Sequence, residues 1–139
     1  MSPMLVSDLM TKNVVTASAS CSAAEASRLL HVHNIGALPV VDTQGALRGI
    51  VTDRDIVTRC VATESDPVTT PLRELMTRRV TTVSPDDTLD EAAAQMAARQ
   101  VRRLPVVSHG RLVGMLALAD FAAEGLGEST LNAVSRPRL

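Results

Sequence analysis

The chain has 139 residues, 45% of them hydrophobic, and a formal net charge of -1, which suits a soluble globular protein the size of one ordinary domain or of two small ones sharing a core. That balance, with no long run of one charge, argues against a nucleic-acid partner or an anionic membrane surface, and an aromatic content of 1% removes the stacking platforms that single-strand binders use. Residues 1–10 lack the basic start and apolar run of a signal peptide and no later segment is long enough to span a bilayer, so a cytoplasmic protein with no membrane contact is expected.

The chain repeats itself. Leu9-Met10-Thr11 returns as Leu75-Met76-Thr77 and Leu38-Pro39-Val40-Val41 as Leu104-Pro105-Val106-Val107, both at a shift of 66. Beyond Thr43 the shift is 65, since Gly45, Leu47, Gly49 and Asp55 match Gly110, Leu112, Gly114 and Asp120, so one residue is missing from a hairpin loop of the second copy.

In chain order, each copy opens with a β-branched run suited to a strand, residues 14–17 and 80–83. A capping-box signature follows, Ser22-Ala23-Ala24-Glu25 and Thr88-Leu89-Asp90-Glu91. It starts a helix whose apolar face carries Ala26, Leu29, Leu30 and His33 in one copy and Leu89, Ala92, Ala93 and Met96 in the other. Residues 38–42 and 47–52 are two strands around the hairpin signal Thr43-Gln44-Gly45, repeated around Ser108-His109-Gly110, with Pro39 and Pro105 early in their strands. A last helix places Ile56, Val57, Cys60 and Val61 on one face, and its Ala-rich counterpart after Asp120 fades at Gly125 and Gly127.

The predicted order is β-α-β-β-α in each copy, an α+β fold. A three-stranded unit of about sixty residues buries too little surface alone, so the two copies are expected to pack sheet to sheet about a pseudo-two-fold axis. The expected boundaries are a first domain at 5–62, a polar linker at 63–71, a second domain at 72–124 and a polar tail at 125–139, where Leu131 and Val134 fit one docked turn.

The densest chemistry lies in Gly49-Ile50-Val51-Thr52-Asp53-Arg54-Asp55, a strand running into a charged turn and a helix. An ionised carboxylate accepts hydrogen bonds from two neighbouring hydroxyls, as a ribose diol offers, which suits Asp55. Thr52 can donate to a phosphate oxygen, Arg54 can supply positive charge, and the helix start is expected to add unpaired N–H groups. The same Thr-x-x-Asp spacing also fits a plain helix cap, worth about 1 kcal/mol. In the second copy, Gly114-Met115-Leu116-Ala117-Leu118-Ala119-Asp120, the threonine and arginine are gone. Ala117 cannot cap through its side chain, yet Asp120 recurs, which favours ligand binding over capping and makes the two turns unequal.

Other constellations are weak. His31 and His33 are two apart on a helix and face different ways, His109 sits in a hairpin loop, and Cys21 and Cys60 stand alone, so neither a metal site nor a redox pair is expected. No P-loop, G-x-G-x-x-G or nucleophile with an evident base occurs, and no catalytic residue is assigned.

Leu-Pro-Val-Val followed by Gly-Ile-Val-Thr-Asp-Arg-Asp-Ile, preceded by Asp8-Leu9-Met10-Thr11 and repeated in tandem, resembles the CBS domain pair, or Bateman module, over residues 5–123. The whole chain looks like the small bacterial proteins made of that module alone. The resemblance implies a cleft between the copies with two related sites, and frequent homodimerisation. It also implies adenosine-containing ligands such as AMP, ADP, ATP or S-adenosylmethionine, bound without a covalent cofactor. Basic residues entering the second copy's strand often meet ligand phosphates in such pairs, which adds Arg103 and Arg102, in place of Gly36 and Ala37 of the first copy. The residue just past the first strand often touches the ligand, which adds Ser18 and Ser84. An adenine would then lie against aliphatic side chains, with Val14, Val15, Val80, Leu38 and Val106 as candidate walls. The resulting expectation is a non-catalytic, cytoplasmic ligand sensor that signals to an effector protein. The alternative is an interaction or dimerisation module with vestigial sites.

Overall fold

A computed structural model describes residues 3–123. It contains helices α1 (Val6–Leu9), α2 (Ala23–Val32), α3 (Asp53–Ile56), α4 (Leu89–Arg99) and α5 (Leu118–Ala123), and strands β1 (Ala37–Val41), β2 (Leu47–Thr52), β3 (Arg103–Ser108) and β4 (Arg111–Ala117). The fold is α+β and the two repeats have matching element order, with antiparallel hairpins β1-β2 and β3-β4 at the centre of each. The predicted tail lies outside the described residues.

The first strands are the main departure from expectation. Residues 14–17 and 80–83 each make only one parallel bridge, Ala17 with Val40 and Val83 with Val106. Ala17 donates to the Pro39 carbonyl (3.0 Å) and accepts from the Val41 N–H (2.9 Å), and Val83 does the same with Pro105 (3.1 Å) and Val107 (2.9 Å). The next rung of a parallel ladder would need an N–H from residue 39 or 105, and proline has none. The proline that marks each motif therefore ends the pairing.

Both hairpins carry a bulge at equivalent places, between Val40 and Val41 and between Val106 and Val107. Beyond it Val41 pairs with Leu47 but Val107 pairs with Leu112, which locates the missing residue inside the second loop. His109 (φ 52°) and Gly110 (φ 77°) give that shorter turn two left-handed residues, as tight hairpins require. In the longer loop Asp42 Oδ1 accepts from the Gln44 and Ala46 N–H groups (2.9 and 3.0 Å) and Oδ2 from Arg48 (2.8 Å).

The helix signatures are met unevenly. Ser22 and Thr88 accept from the N–H groups of Glu25 and Glu91 (3.1 Å each), but neither glutamate reaches back to the backbone N–H of its cap residue. Glu25 pairs with Arg28 and Glu91 takes the Thr88 hydroxyl proton, so only half of each box forms. His33 is the exposed cap residue of α2 rather than part of its apolar face. After α3 the chain widens into a π turn over Val57–Val61, and there the predicted face divides. Ile56 and Cys60 are buried, whereas Val57 and Val61 are 57% and 59% exposed.

The described residues form two compact units: one is Val15–Val80, the other joins residues 3–14 with residues 81–123. The first has a core built on Leu30, Leu38, Val51, Cys60, Leu72 and Leu75, and the second one built on Val6, Leu89, Met96, Leu104, Leu116 and Phe121. The repeated Leu-Met-Thr motif explains this partition. Leu75–Thr77 lies along β2, with Thr77 and Ile50 exchanging N–H···O bonds of 2.9 and 3.0 Å. Thr11 and Met115 exchange bonds of 2.8 and 3.0 Å on β4. A Cβ on Gly49 would meet the Thr77 carbonyl at 2.7 Å, and one on Gly114 the Met10 sulfur at 2.7 Å. Each strap thus needs the glycine that opens the facing motif.

Candidate functional site

The turn from β2 into α3 is closed by a reciprocal box. The Thr52 N–H donates to Asp55 Oδ2 (3.0 Å) and the Asp55 N–H to Thr52 Oγ1 (3.1 Å). Two other donors at the helix start are also engaged: the Asp53 N–H with the Gly36 carbonyl (3.2 Å), and the Arg54 N–H with Asp53 Oδ1 (2.8 Å). The expected reserve of unpaired N–H groups is therefore absent from residues 53–55, because the turn satisfies them locally. What the turn leaves over is side-chain chemistry: the half-buried Thr52 hydroxyl, the exposed Arg54 guanidinium and the second carboxylate oxygen of Asp55, whose side chain is 14% exposed.

That second oxygen, Oδ1, lies 3.8 Å from Arg59 Nη2. Arg59 Nη1 donates to the Leu75 carbonyl (2.8 Å) and to Thr77 Oγ1 (3.4 Å), joining the turn to the strap on β2. Arg59 does not stand out in the sequence; its four-residue spacing from Asp55 is the signal that points to it.

In the second copy the Ala117 N–H donates to Asp120 Oδ2 at 2.9 Å. Half of the box survives without the hydroxyl, so aspartate at this place has a structural role in both copies and its recurrence alone does not separate capping from ligand binding. The ladder register adds a contrast. Arg103 pairs with Ala117, where the first copy has Ala37 opposite Thr52. Directly opposed residues project to one face about 5 Å apart, so the second turn exchanges a hydroxyl for a guanidinium across the ladder. Arg102 is exposed just before β3, and its carbonyl accepts from the Leu118 N–H (2.8 Å).

The remaining expected residues are spread out. Ser18 is exposed and shares a hydrogen bond with Ser20 (3.1 Å), while Ser84 is half-buried with its hydroxyl accepting from the Asp86 N–H (3.2 Å). Leu38 and Val106 are wholly enclosed in the cores and present no open wall, whereas Val14, Val15 and Val80 are half-buried. Two surface grooves lie off the candidate residues. One of about 310 Å³ runs between α2 and α3 past Leu30, His31, Asp53 and Val57, and one of about 350 Å³ is lined by Thr82, Val83, Asp87, Glu91, Ala94 and Gln95. Among the described residues no group of three or more His, Cys, Asp and Glu side chains converges as a metal site.

The model of the CBS domain matches the chain twice, at residues 6–62 and 72–127. The chain belongs to the CBS domain family. It is 41% identical over 125 residues to CBS domain-containing protein YhcV of Bacillus subtilis, covering 90% of this chain and 88% of the relative. It is 36% identical over 115 residues to Hypoxic response protein 1 of Mycobacterium tuberculosis, covering 83% and 80%. Among solved structures, the CBS domain pair of protein MJ0100 in complex with 5'-methylthioadenosine and S-adenosyl-L-methionine superposes with a TM-score of 0.79 at 34% identity, covering 89% of this chain and 97% of that one. The zinc-bound Hypoxic Response Protein I superposes with a TM-score of 0.80 at 34% identity, covering 86% and 98%. The CBS assignment agrees with the sequence resemblance in family, in fold class and in tandem arrangement.

Proposed function

We propose that this CBS pair is a non-catalytic, cytoplasmic sensor that binds an adenine nucleotide or adenosyl ligand, of the AMP, ADP, ATP or S-adenosylmethionine class, in the cleft that the family resemblance implies, and signals to a partner protein. The observation that carries the reading is the Thr52–Asp55 turn. One carboxylate oxygen is fixed by the Thr52 N–H while the other retains acceptor capacity, beside a free hydroxyl donor and an exposed guanidinium. That set matches a ribose diol and a phosphate. A related pair at 34% identity is complexed with two adenosyl compounds, which supports the same ligand class here. Asp120 with Arg103 and Arg102 forms a second, differently equipped site, and Ser18 and Ser84 are assigned peripheral contacts.

A thermal-shift screen with AMP, ADP, ATP, S-adenosylmethionine and 5'-methylthioadenosine tests the reading, since a ligand of the native state raises apparent stability by mass action. At a concentration a hundred times Kd the stabilisation is about 2.7 kcal/mol. No shift with any of them at millimolar concentration would contradict it.

A second reading, an assembly module, is favoured by Val57 and Val61, two apolar side chains four residues apart and both more than half exposed. A related CBS protein, CBS-CP12 of bloom-forming cyanobacteria, is hexameric. We assign this face to a homodimer. Light scattering should show Val57→Asp as a monomer at concentrations where the parent chain is dimeric; an unchanged mass would remove this face from the contact.

A further inference from the structure

We propose that Arg59 is a positioning residue that couples the charge on Asp55 to the strap formed by Leu75, Met76 and Thr77, so that events at the candidate ligand carboxylate reach the segment leading into the second repeat. Four observations carry this. Arg59 reaches both partners at once: its Nη1 donates to the Leu75 carbonyl at 2.8 Å and to Thr77 Oγ1, while its Nη2 stands 3.8 Å from Asp55 Oδ1. The oxygen it approaches is the one the capping box leaves open, because Thr52 occupies Oδ2. Leu75 and Met76 of the strap are buried in the core of the first unit, but its hydrogen bonding to β2 is sparse. Its pairing with β2 is one bridge of two hydrogen bonds between Thr77 and Ile50, and Gly49 opens the space beneath it. Lastly, the second repeat does not carry this arginine in its sequence. The residue 65 positions after Arg59 is Glu124, which cannot donate to a carbonyl, while the equivalent strap bridge between Thr11 and Met115 is present.

The chemistry has a direction. With no ligand hydroxyl at Oδ1, the Asp55 carboxylate attracts the guanidinium and keeps it beside the turn, where its other nitrogen donates to the Leu75 carbonyl. A hydroxyl donor arriving at Oδ1 weakens that hold, and the Thr77–Ile50 bridge at the end of the strap opens more readily while Leu75 and Met76 stay packed in the core. The relay deepens the ligand-sensing reading and rests on it only for the identity of the trigger.

Amide hydrogen exchange at Ile50 and Thr77, measured relative to the α2 amides, tests it without a ligand. In Arg59→Met both amides should exchange roughly tenfold faster, from loss of one charge-assisted bond. In Asp55→Asn, which keeps an oxygen for the Thr52 N–H, the increase should be about two- to threefold, the scale of a partly exposed ion pair. In the double variant Asp55→Asn should add nothing to Arg59→Met, because its effect passes through the guanidinium. The Thr11 and Met115 amides should respond to none of these changes. Strap exchange within twofold of the parent in Arg59→Met, or an Asp55→Asn effect of equal size with and without Arg59, would overturn the relay. AMP provides the second arm. At saturation, with binding followed separately by calorimetry, it should speed strap exchange in the parent chain and leave it unmoved in Arg59→Met, and a response that persists in Arg59→Met also overturns the proposal. Failure of AMP and the other adenosyl compounds to bind the parent chain would count against the ligand reading alone, leaving the ligand-free cycle to decide the relay.

Discussion

At the residue scale, the same aspartate chemistry recurs in three settings with different consequences. Asp42 holds a loop, Asp120 closes half a box, and Asp55 closes a full box with one oxygen left over. The Asp42 carboxyl is held below the ordinary carboxylate range, chiefly by the Ala46 N–H, then by that of Gln44, with Arg48 adding less. Because its folded pKa is the lower one, its contribution to stability is complete above the ordinary carboxylate value and is lost as the pH falls through the depressed value. Following the Gln44 and Ala46 amide resonances in acid should show a midpoint below that of an unperturbed aspartate. In Arg48→Ala the midpoint should stay depressed, since backbone donors dominate; a return to the ordinary value would assign the effect to the ion pair instead. Cys21 illustrates the opposite sign. Partial burial, then the Glu25 carboxylate, pushes its thiol pKa up, which keeps it protonated and slow to react at neutral pH.

At the element scale, the repeat, the hairpins and the central helices were legible in the sequence because each rests on local periodicity or on a turn signal. Pairing partners were not. The Leu-Met-Thr motif announces itself by recurring, but nothing in its spacing says that Leu75–Thr77 lies on β2 and Thr11 on β4, because those are contacts across long stretches of chain. Pro39 lies early in its strand, and its missing donor has an effect beyond that strand: it limits residues 14–17 to one bridge. Likewise the fate of Asp55 was half visible. Its spacing from Thr52 signals a cap, while the free oxygen beside Arg59 emerges only in three dimensions. The straps make a sharp prediction. Gly49→Ala places a methyl 2.7 Å from the Thr77 carbonyl, so it should destabilise the chain by about 1 to 3 kcal/mol in denaturant melts and speed exchange at Thr77 first. An equally stable Gly49→Ala variant would mean the strap yields freely.

At the scale of the whole molecule, the repeats in sequence and the compact units in space are offset. Val6 belongs by position to the first repeat, yet it is fully buried in the core with Leu104, Leu116 and Phe121. Val6→Ala should therefore lower protection across α4, β3 and β4 while sparing α2, β1 and β2, at a cost of about 1.5 to 3 kcal/mol for the lost burial. Equal loss in both units would refute the partition. Family membership places this architecture among CBS pairs, and the inequality of the two turns gives it individual character: hydroxyl and Arg54 at the first, Arg103 opposite Ala117 at the second. In the proposed sensor the Thr52–Asp55 turn is a ligand site rather than a cap alone. Titration calorimetry with AMP, ATP and S-adenosylmethionine against the parent chain, Asp55→Asn and Asp120→Asn tests it most directly, because asparagine preserves the oxygen that the cap needs. The predicted result is that Asp55→Asn weakens the tighter binding event by about tenfold or more, the scale of one charge-assisted hydrogen bond, while Asp120→Asn leaves that event in place. Binding by Asp55→Asn with the parent's affinity, or no binding of any of the three by the parent chain, would contradict it.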